Sequence, residues 1–200
     1  MSHAVPIDTA PTGAATLRQP HALAGTPPTA DHPHWTETLR DGTHVIIRPL
    51  HAEDVELERR FIERLSPESR RMRFLGQMSS PSAELLRQMT QIDYVHDMAF
   101  VALVHRNGEK REVGVSRYSV GADGAWCECA VSVDDEWHGL GLGTLLMRHL
   151  IETARARGIR SMISLDSADN WRMRELATHL GFVREQDPDD ARQVIHRLTL

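Results

Sequence analysis

Three glycines at alternate positions, Gly139, Gly141 and Gly143, stand between an acidic turn, Asp134-Asp135-Glu136, and an apolar run of helical period. Glycine enters φ > 0 without penalty and has no Cβ, so such a loop can aim consecutive backbone N–H groups at one ligand. A helix beginning at Leu142 adds unpaired N–H donors and the positive end of its dipole. His138-Gly-Leu-Gly-Leu-Gly-Thr144 therefore reads as an anion cradle, suited to a phosphate-bearing ligand. Its spacing excludes two familiar cradles. A P-loop needs Gly-Lys-Ser/Thr at the helix start, and Gly143 is followed by Thr144 with no lysine. A dinucleotide fingerprint needs a third glycine where Thr144 stands.

Immediately upstream, an alternating strand pattern runs from Glu128 to Val133. Alternation puts Glu128, Ala130 and Ser132 on the face opposite Cys127, Cys129 and Val131. A carboxylate in a partly desolvated cleft acquires a raised pKa, which suits general-base work. Cys127 and Cys129, the two cysteines of the chain, share one face of a strand and are poorly placed to bond to each other. That usage fits a reducing, cytoplasmic compartment. As nucleophiles they would need a neighbouring base, and buried packing is the simpler reading. His3, His21, His32 and His34 lack metal-site spacing, so no metal is expected. Trp137 and Trp171 read as packing. The acidic turn reads either as solvated or as an attractor for a cationic amine.

The elements that must position these residues follow from period and punctuation. Met1 to His34 is Ala-, Pro- and Thr-rich with few large apolar residues, and reads as a disordered or loosely attached tail. From residue 35 onward a single folded domain is expected. His44–Leu50 reads as a strand and Ala52–Leu65 as a helix. Ser66-Pro67-Glu68 and Ser80-Pro81-Ser82 are helix start signals, the second preceding a helix over Ala83–Gln91. Met98–His105, Val113–Val120 and Trp126–Val133 read as an antiparallel meander, with a turn at Asn107-Gly108. A helix from Leu142 closes at Gly158. Ser161–Asp166 is a strand, Asp169 or Asn170 caps a helix ending at Gly181, and Val194–Leu200 is a last strand. The expected fold class is α+β, with a mixed, mostly antiparallel twisted sheet flanked by helices.

Composition bounds the function. Two hundred residues, 40% of them hydrophobic, suffice for one sizeable core. No run approaches the roughly 18 apolar residues of a membrane span, and no secretory signal is evident at the start. With a net charge of -5 and no basic stripe, neither nucleic acid nor membrane is expected as a partner. Nothing in the sequence specifies an oligomeric state.

Strand, acidic turn, His138-Gly-x-Gly-x-Gly and helix, in that order, resemble the acetyl-coenzyme A motif of the GNAT acyltransferases, usually written Gln/Arg-x-x-Gly-x-Gly/Ala. His138 departs from the first position. Asn170-x-x-Met173-x-x-Leu176-x-x-x-Leu180-Gly181-Phe182 resembles the second signature of the family. The segments Phe61–Phe74 and Thr90–Tyr94 look like the acetyltransferase domain of bacterial protein-lysine acetyltransferases. The likeness covers roughly Thr43 to Leu200 and implies a GNAT fold with acetyl-CoA as co-substrate and no metal. It implies that backbone groups at Val131 and Val133 receive the pantetheine arm. The main chain of His138, Gly139, Leu140, Gly141, Leu142, Gly143 and Thr144 would hold the pyrophosphate, and the Asn170 side chain would meet the coenzyme. Glu128 would be the base, and the acceptor a protein lysine or a small amine. The tyrosine that often protonates the departing thiolate is replaced by Ala177. A non-catalytic acyl-CoA sensor is the alternative from another class.

Overall fold

The computed structural model describes residues 34–76 and 80–200. The tail anticipated over 1–34 therefore lies outside the described residues, His34 excepted. The chain runs β1 (Trp35–Thr38), β2 (His44–Pro49), a 3-10 turn (Ala52–Asp54), α1 (Val55–Arg64), α2 (Pro67–Phe74), α3 (Ala83–Thr90), β3 (Asp97–Arg106), β4 (Glu109–Val120) and β5 (Trp126–Val133). It continues through a second 3-10 turn (Asp135–Trp137), α4 (Leu142–Ala156), β6 (Ser161–Ser167), α5 (Trp171–His179), β7 (Val183–Gln186) and β8 (Gln193–Thr199). The strands form one sheet in the order β1-β2-β3-β4-β5-β6-β8-β7. Every pair is antiparallel except β5–β6.

Period-2 alternation divides the core between the two faces. Met98, Phe100, Ala102 and Val104 of β3 and Cys127 and Cys129 of β5 pack with Leu142, Leu146, Met147 and Leu150 of α4 and Ala177 of α5. Ala99, Val101 and Leu103 face the other way, toward Leu57 of α1. Phe61 and Ile62 of α1 pack there with Leu86 and Met89 of α3 and with Val115 of β4. Burial of each such large side chain contributes about 1.5–3 kcal/mol. Where α4 crosses β4 the fit requires glycine. A Cβ on Gly114 would lie 2.9 Å from Leu146 Cδ1 and 3.2 Å from the Ser132 carbonyl oxygen.

The serine signals behave as anticipated. Ser66 Oγ accepts the Ser69 N–H, and Ser82 Oγ accepts the Leu85 N–H. Two strands were not anticipated, β1 and β7, both at sheet edges. The helix expected over Ala52–Leu65 opens as a 3-10 turn and becomes α-helical only at Val55.

Under α1 lies an unusual polar cluster. Glu58 and Glu112 are 0% and 1% exposed. Glu58 Oε1 accepts from Arg117 at 3.3 Å, but Glu58 Oε2 and both Glu112 oxygens meet no donor among the described residues. Burial, and the Glu58 carboxyl beside it, hold Glu112 well above the usual carboxylate range. Because the folded pKa exceeds the unfolded one, the stability linked to this group is complete below the unfolded value and is lost as pH rises through the folded one. Glu112→Gln should therefore raise the unfolding free energy by about 1–3 kcal/mol at pH 8 and leave it unchanged near pH 4. Urea titrations at the two pH values measure the difference.

Candidate active site

The parallel β5–β6 ladder has rungs at Trp126↔Ser161, Cys127↔Met162 and Glu128↔Ile163 and then stops. β5 continues to Val133, paired only with β4, while β6 continues to Ser167, paired with β8. The two strands thus diverge from Glu128 onward. The Asp134 N–H donates to the Val113 carbonyl on β4, so alternation turns the backbone groups of Val131 and Val133 into the gap. That is the placement expected of a strand edge able to receive an extended arm.

At the end of β5 the glycine loop forms. Gly139 and Gly141 take φ of 76° and 90°, in the left-handed region, and Gly141 caps α4. The carbonyls of Gly139 and Leu140 point away, toward Arg40, whose Nη1 lies 3.2 Å from the first and whose N–H lies 3.1 Å from the second. No acceptor among the described residues takes the N–H groups of Gly139, Leu140, Gly141, Leu142, Gly143 or Thr144. Consecutive free N–H donors at a helix N-terminus form a cradle for a multiply charged anion. Gly141→Ala should cost about 1–2 kcal/mol of backbone strain and weaken acetyl-CoA binding correspondingly, readable by calorimetric titration. Arg40, from the β1–β2 turn, carried no sequence signal for this role.

His138 stands at the entrance to the cradle, its N–H directed back at the Asp135 carbonyl at 3.4 Å. Its Nε2 lies 3.0 Å from the Val133 carbonyl oxygen, so the ring folds back onto β5. Asn170 Oδ1 accepts the Met173 N–H at 3.1 Å and caps α5, leaving the amide NH2 as its available donor.

The acidic turn divides: Glu136 is 66% exposed beside Arg111, whereas Asp134 and Asp135 are tied into the fold. Asp134 is 2% exposed and accepts from Arg64 and Arg111 at 3.2 and 3.0 Å. Asp135 accepts from the Ser66 N–H and from the Ser66 and Ser69 hydroxyls, fastening α2 beside the loop. Trp137 packs against the core, whereas Trp171 is 48% exposed with the Arg172 guanidinium 4.7 Å from its ring.

Glu128 is half-buried on the face covered by α2, and it makes no hydrogen bond or ion pair with a described residue. Burial raises its pKa; Arg73 opposes that rise and Asp166 adds to it. Asp166 accepts from the Ser164 hydroxyl at 2.6 Å and lies 2.9 Å from His196 Nδ1. Neither cysteine suits a nucleophile. Burial pushes Cys127 up to about 12, leaving about one thiolate in 10⁵ at pH 7, and Cys129 is also pushed up. Both tyrosines are structural: the Tyr94 hydroxyl donates to the Leu50 carbonyl, and that of Tyr118 accepts from Arg157. Ala177 is fully buried. Surface cavities of about 430 and 390 Å³ lie along β2 and β3, and neither includes Glu128.

Residues 63–182 match the Acetyltransferase (GNAT) family. The chain belongs to that family. It is 58% identical over 167 residues to Acetyltransferase PA5475 of Pseudomonas aeruginosa, covering 84% of this chain and 90% of that one. It is 27% identical over 146 residues to Acetyltransferase Pat of Mycolicibacterium smegmatis, covering 72% of this chain but only 43% of that longer protein. The GNAT domain of S. lividans PAT superimposes with a TM-score of 0.76 at 26% identity, over 84% of this chain and 97% of that one. GNAT acetyltransferases take their acyl group from acetyl-CoA, and the diverging strands and the N–H cradle of this chain fit such a donor. Among the described residues no helix is long and apolar enough to cross a membrane.

Proposed function

We propose that this GNAT acetyltransferase transfers the acetyl group of acetyl-CoA to a protein lysine by direct attack in a ternary complex, with Glu128 as general base. The supporting observation is the state of Glu128. Its carboxyl group is half-buried at the last β5–β6 rung, is raised by that burial, and is committed to no ion pair among the described residues. A structural glutamate would be expected to have a partner.

A lysine amine with a reference pKa of about 10.4 is neutral in only about one molecule in two or three thousand at pH 7. Glu128, directly or through a water, accepts its proton. The nitrogen then bonds to the thioester carbon, the C–S bond breaks with its electron pair leaving on sulfur, and the second proton that the nitrogen sheds in becoming an amide passes to water or to the departing thiolate. A thiol pKa near 8.5 makes the thiolate a tolerable leaving group, so the absence of a tyrosine at Ala177 is no obstacle. The N–H groups of Gly139 to Thr144 would hold the pyrophosphate, Val131 and Val133 the pantetheine arm, and the Asn170 amide would donate to the coenzyme. The lysine acceptor is supported by the likeness of Phe61–Phe74 and Thr90–Tyr94 to protein-lysine acetyltransferases.

The test is mass spectrometry of cell extract incubated with isotopically labelled acetyl-CoA and either the native protein or Glu128→Gln. Labelled lysines on a few proteins, lost with the variant, are expected. Label confined to small amines would transfer the assignment to that acceptor class. Bound acetyl-CoA with no label at all would turn it to a sensor.

A further inference from the structure

α2 is an unusual helix because none of its residues is fully buried. It lies against β5 as a strap over the cleft, held by polar contacts at both ends. At its start Asp135 accepts from Ser66 and Ser69. Further along, Arg71 crosses to Asp169, in the β6–α5 loop, at 3.0 Å. Residues two apart on a helix point to nearly opposite sides. Arg71 is exposed toward that loop, and Arg73 is half-buried and turned inward. Leu75, directly after the helix, takes a left-handed φ of 49° that turns the chain away.

Arg73 lies among the charged groups Glu128 of β5, Asp166 of β6, Glu58 of α1 and Arg117 of β4. Arg117 is committed to the Met89 carbonyl and to Glu58. Arg73 is different: its guanidinium stands 5.1 Å over the ring of Phe74 and makes no hydrogen bond or ion pair with a described residue. The fork of donors on this half-buried guanidinium is unused by the fold and stays open to an acceptor that enters the cleft. Burial lowers its pKa to about 10, so it stays charged at neutral pH.

We propose that Arg73 is the specificity-determining residue of the acceptor side, donating to the main-chain carbonyl oxygen of a peptide-borne lysine whose amine is presented to Glu128. Charge balance selects this chemistry. Glu128, Asp166 and Arg73 together carry one negative charge, which an incoming ammonium neutralises, so the group accepting from Arg73 need only be an uncharged oxygen. The inference rests on the acetyl-transfer reading of this site. It adds that the acceptor is recognised by a carbonyl oxygen as well as by its amine.

The experiment compares the native protein, Arg73→Met and Arg73→Lys on two acceptors, Nα-acetyl-lysine methylamide and pentylamine, which has the amine without the carbonyls. Arg73→Met should raise the KM for the lysine amide about 10- to 100-fold, as expected for a lost charge-assisted hydrogen bond, and leave pentylamine and acetyl-CoA binding unchanged. Arg73→Lys, which keeps the charge without the fork, should recover part of the loss. The acid limb of kcat should move to higher pH in Arg73→Met, because the cation that opposes the rise of Glu128 is gone, a change that a purely structural residue would not produce. Equal losses on both acceptors, or none, would overturn the assignment to a carbonyl. A native protein that binds acetyl-CoA yet acetylates neither acceptor sinks the acetyl-transfer reading itself, an outcome distinct from all of these.

Discussion

Glu128→Gln should lower kcat by about 10²–10⁴-fold while acetyl-CoA binds with unchanged affinity, the range that general acid–base catalysis contributes. Glutamine keeps the volume and polarity of the side chain but cannot accept the ammonium proton, and Glu128 lies outside the N–H cradle that would hold the donor. The pH dependence adds an independent check. Burial sets the folded pKa of Glu128 above its ordinary value of 4.5, Asp166 acts in the same sense, and Arg73 only partly opposes them. The base form is therefore lost as pH falls through that raised value, so the acid limb of native kcat should lie above the ordinary glutamate range. Whatever residual rate Glu128→Gln retains should lack that limb. A variant with the native limb intact would remove Glu128 from the mechanism and leave the group responsible to be sought elsewhere in the cleft.

What the sequence made legible was what leaves a local or periodic trace. The meander strands and α4 announce themselves through alternation and helical spacing, and the cradle through glycines that its backbone requires at Gly139 and Gly141. Glu128 could be assigned to a face because its neighbours alternate. β1 and β7 could not be seen, since Trp-Thr-Glu-Thr and Val-Arg-Glu-Gln carry no buried stripe; β7 is exposed along its length and exists through its pairing with β8. Arg73 was hidden in a basic helix with no buried face. Arg40 and the partners of the acidic turn were hidden by distance, because Arg40 meets Gly139 across 99 positions and Arg64 meets Asp134 across 70. Such pairings place charges by tertiary geometry, and no window of sequence contains both members.

The clasp around Asp134 carries the second large expected effect. Its side chain is 4% exposed and joins Arg64 of α1 to Arg111 of β4, while its Oδ1 accepts the Glu136 N–H at 3.2 Å. Asp134→Ala leaves two guanidinium groups close together without their shared anion. Breaking a buried pair costs up to about 3–5 kcal/mol, and because these arginines are 31% and 24% exposed the expected loss is nearer ~2–4 kcal/mol. Asp134→Asn retains an acceptor for the Glu136 N–H and should lose less, so the two variants separate the turn cap from the charge. The consequence reaches the site because Asp134 is the residue at which β5 hands over to the turn leading into His138 and Gly139. If the clasp sets where the cradle sits relative to the gap, acetyl-CoA affinity should fall in parallel with stability across the two variants. Urea unfolding and calorimetric titration give both quantities. Lost stability with unchanged acetyl-CoA affinity would mean instead that Arg40, gripping the loop from the β1–β2 turn, is sufficient to hold it.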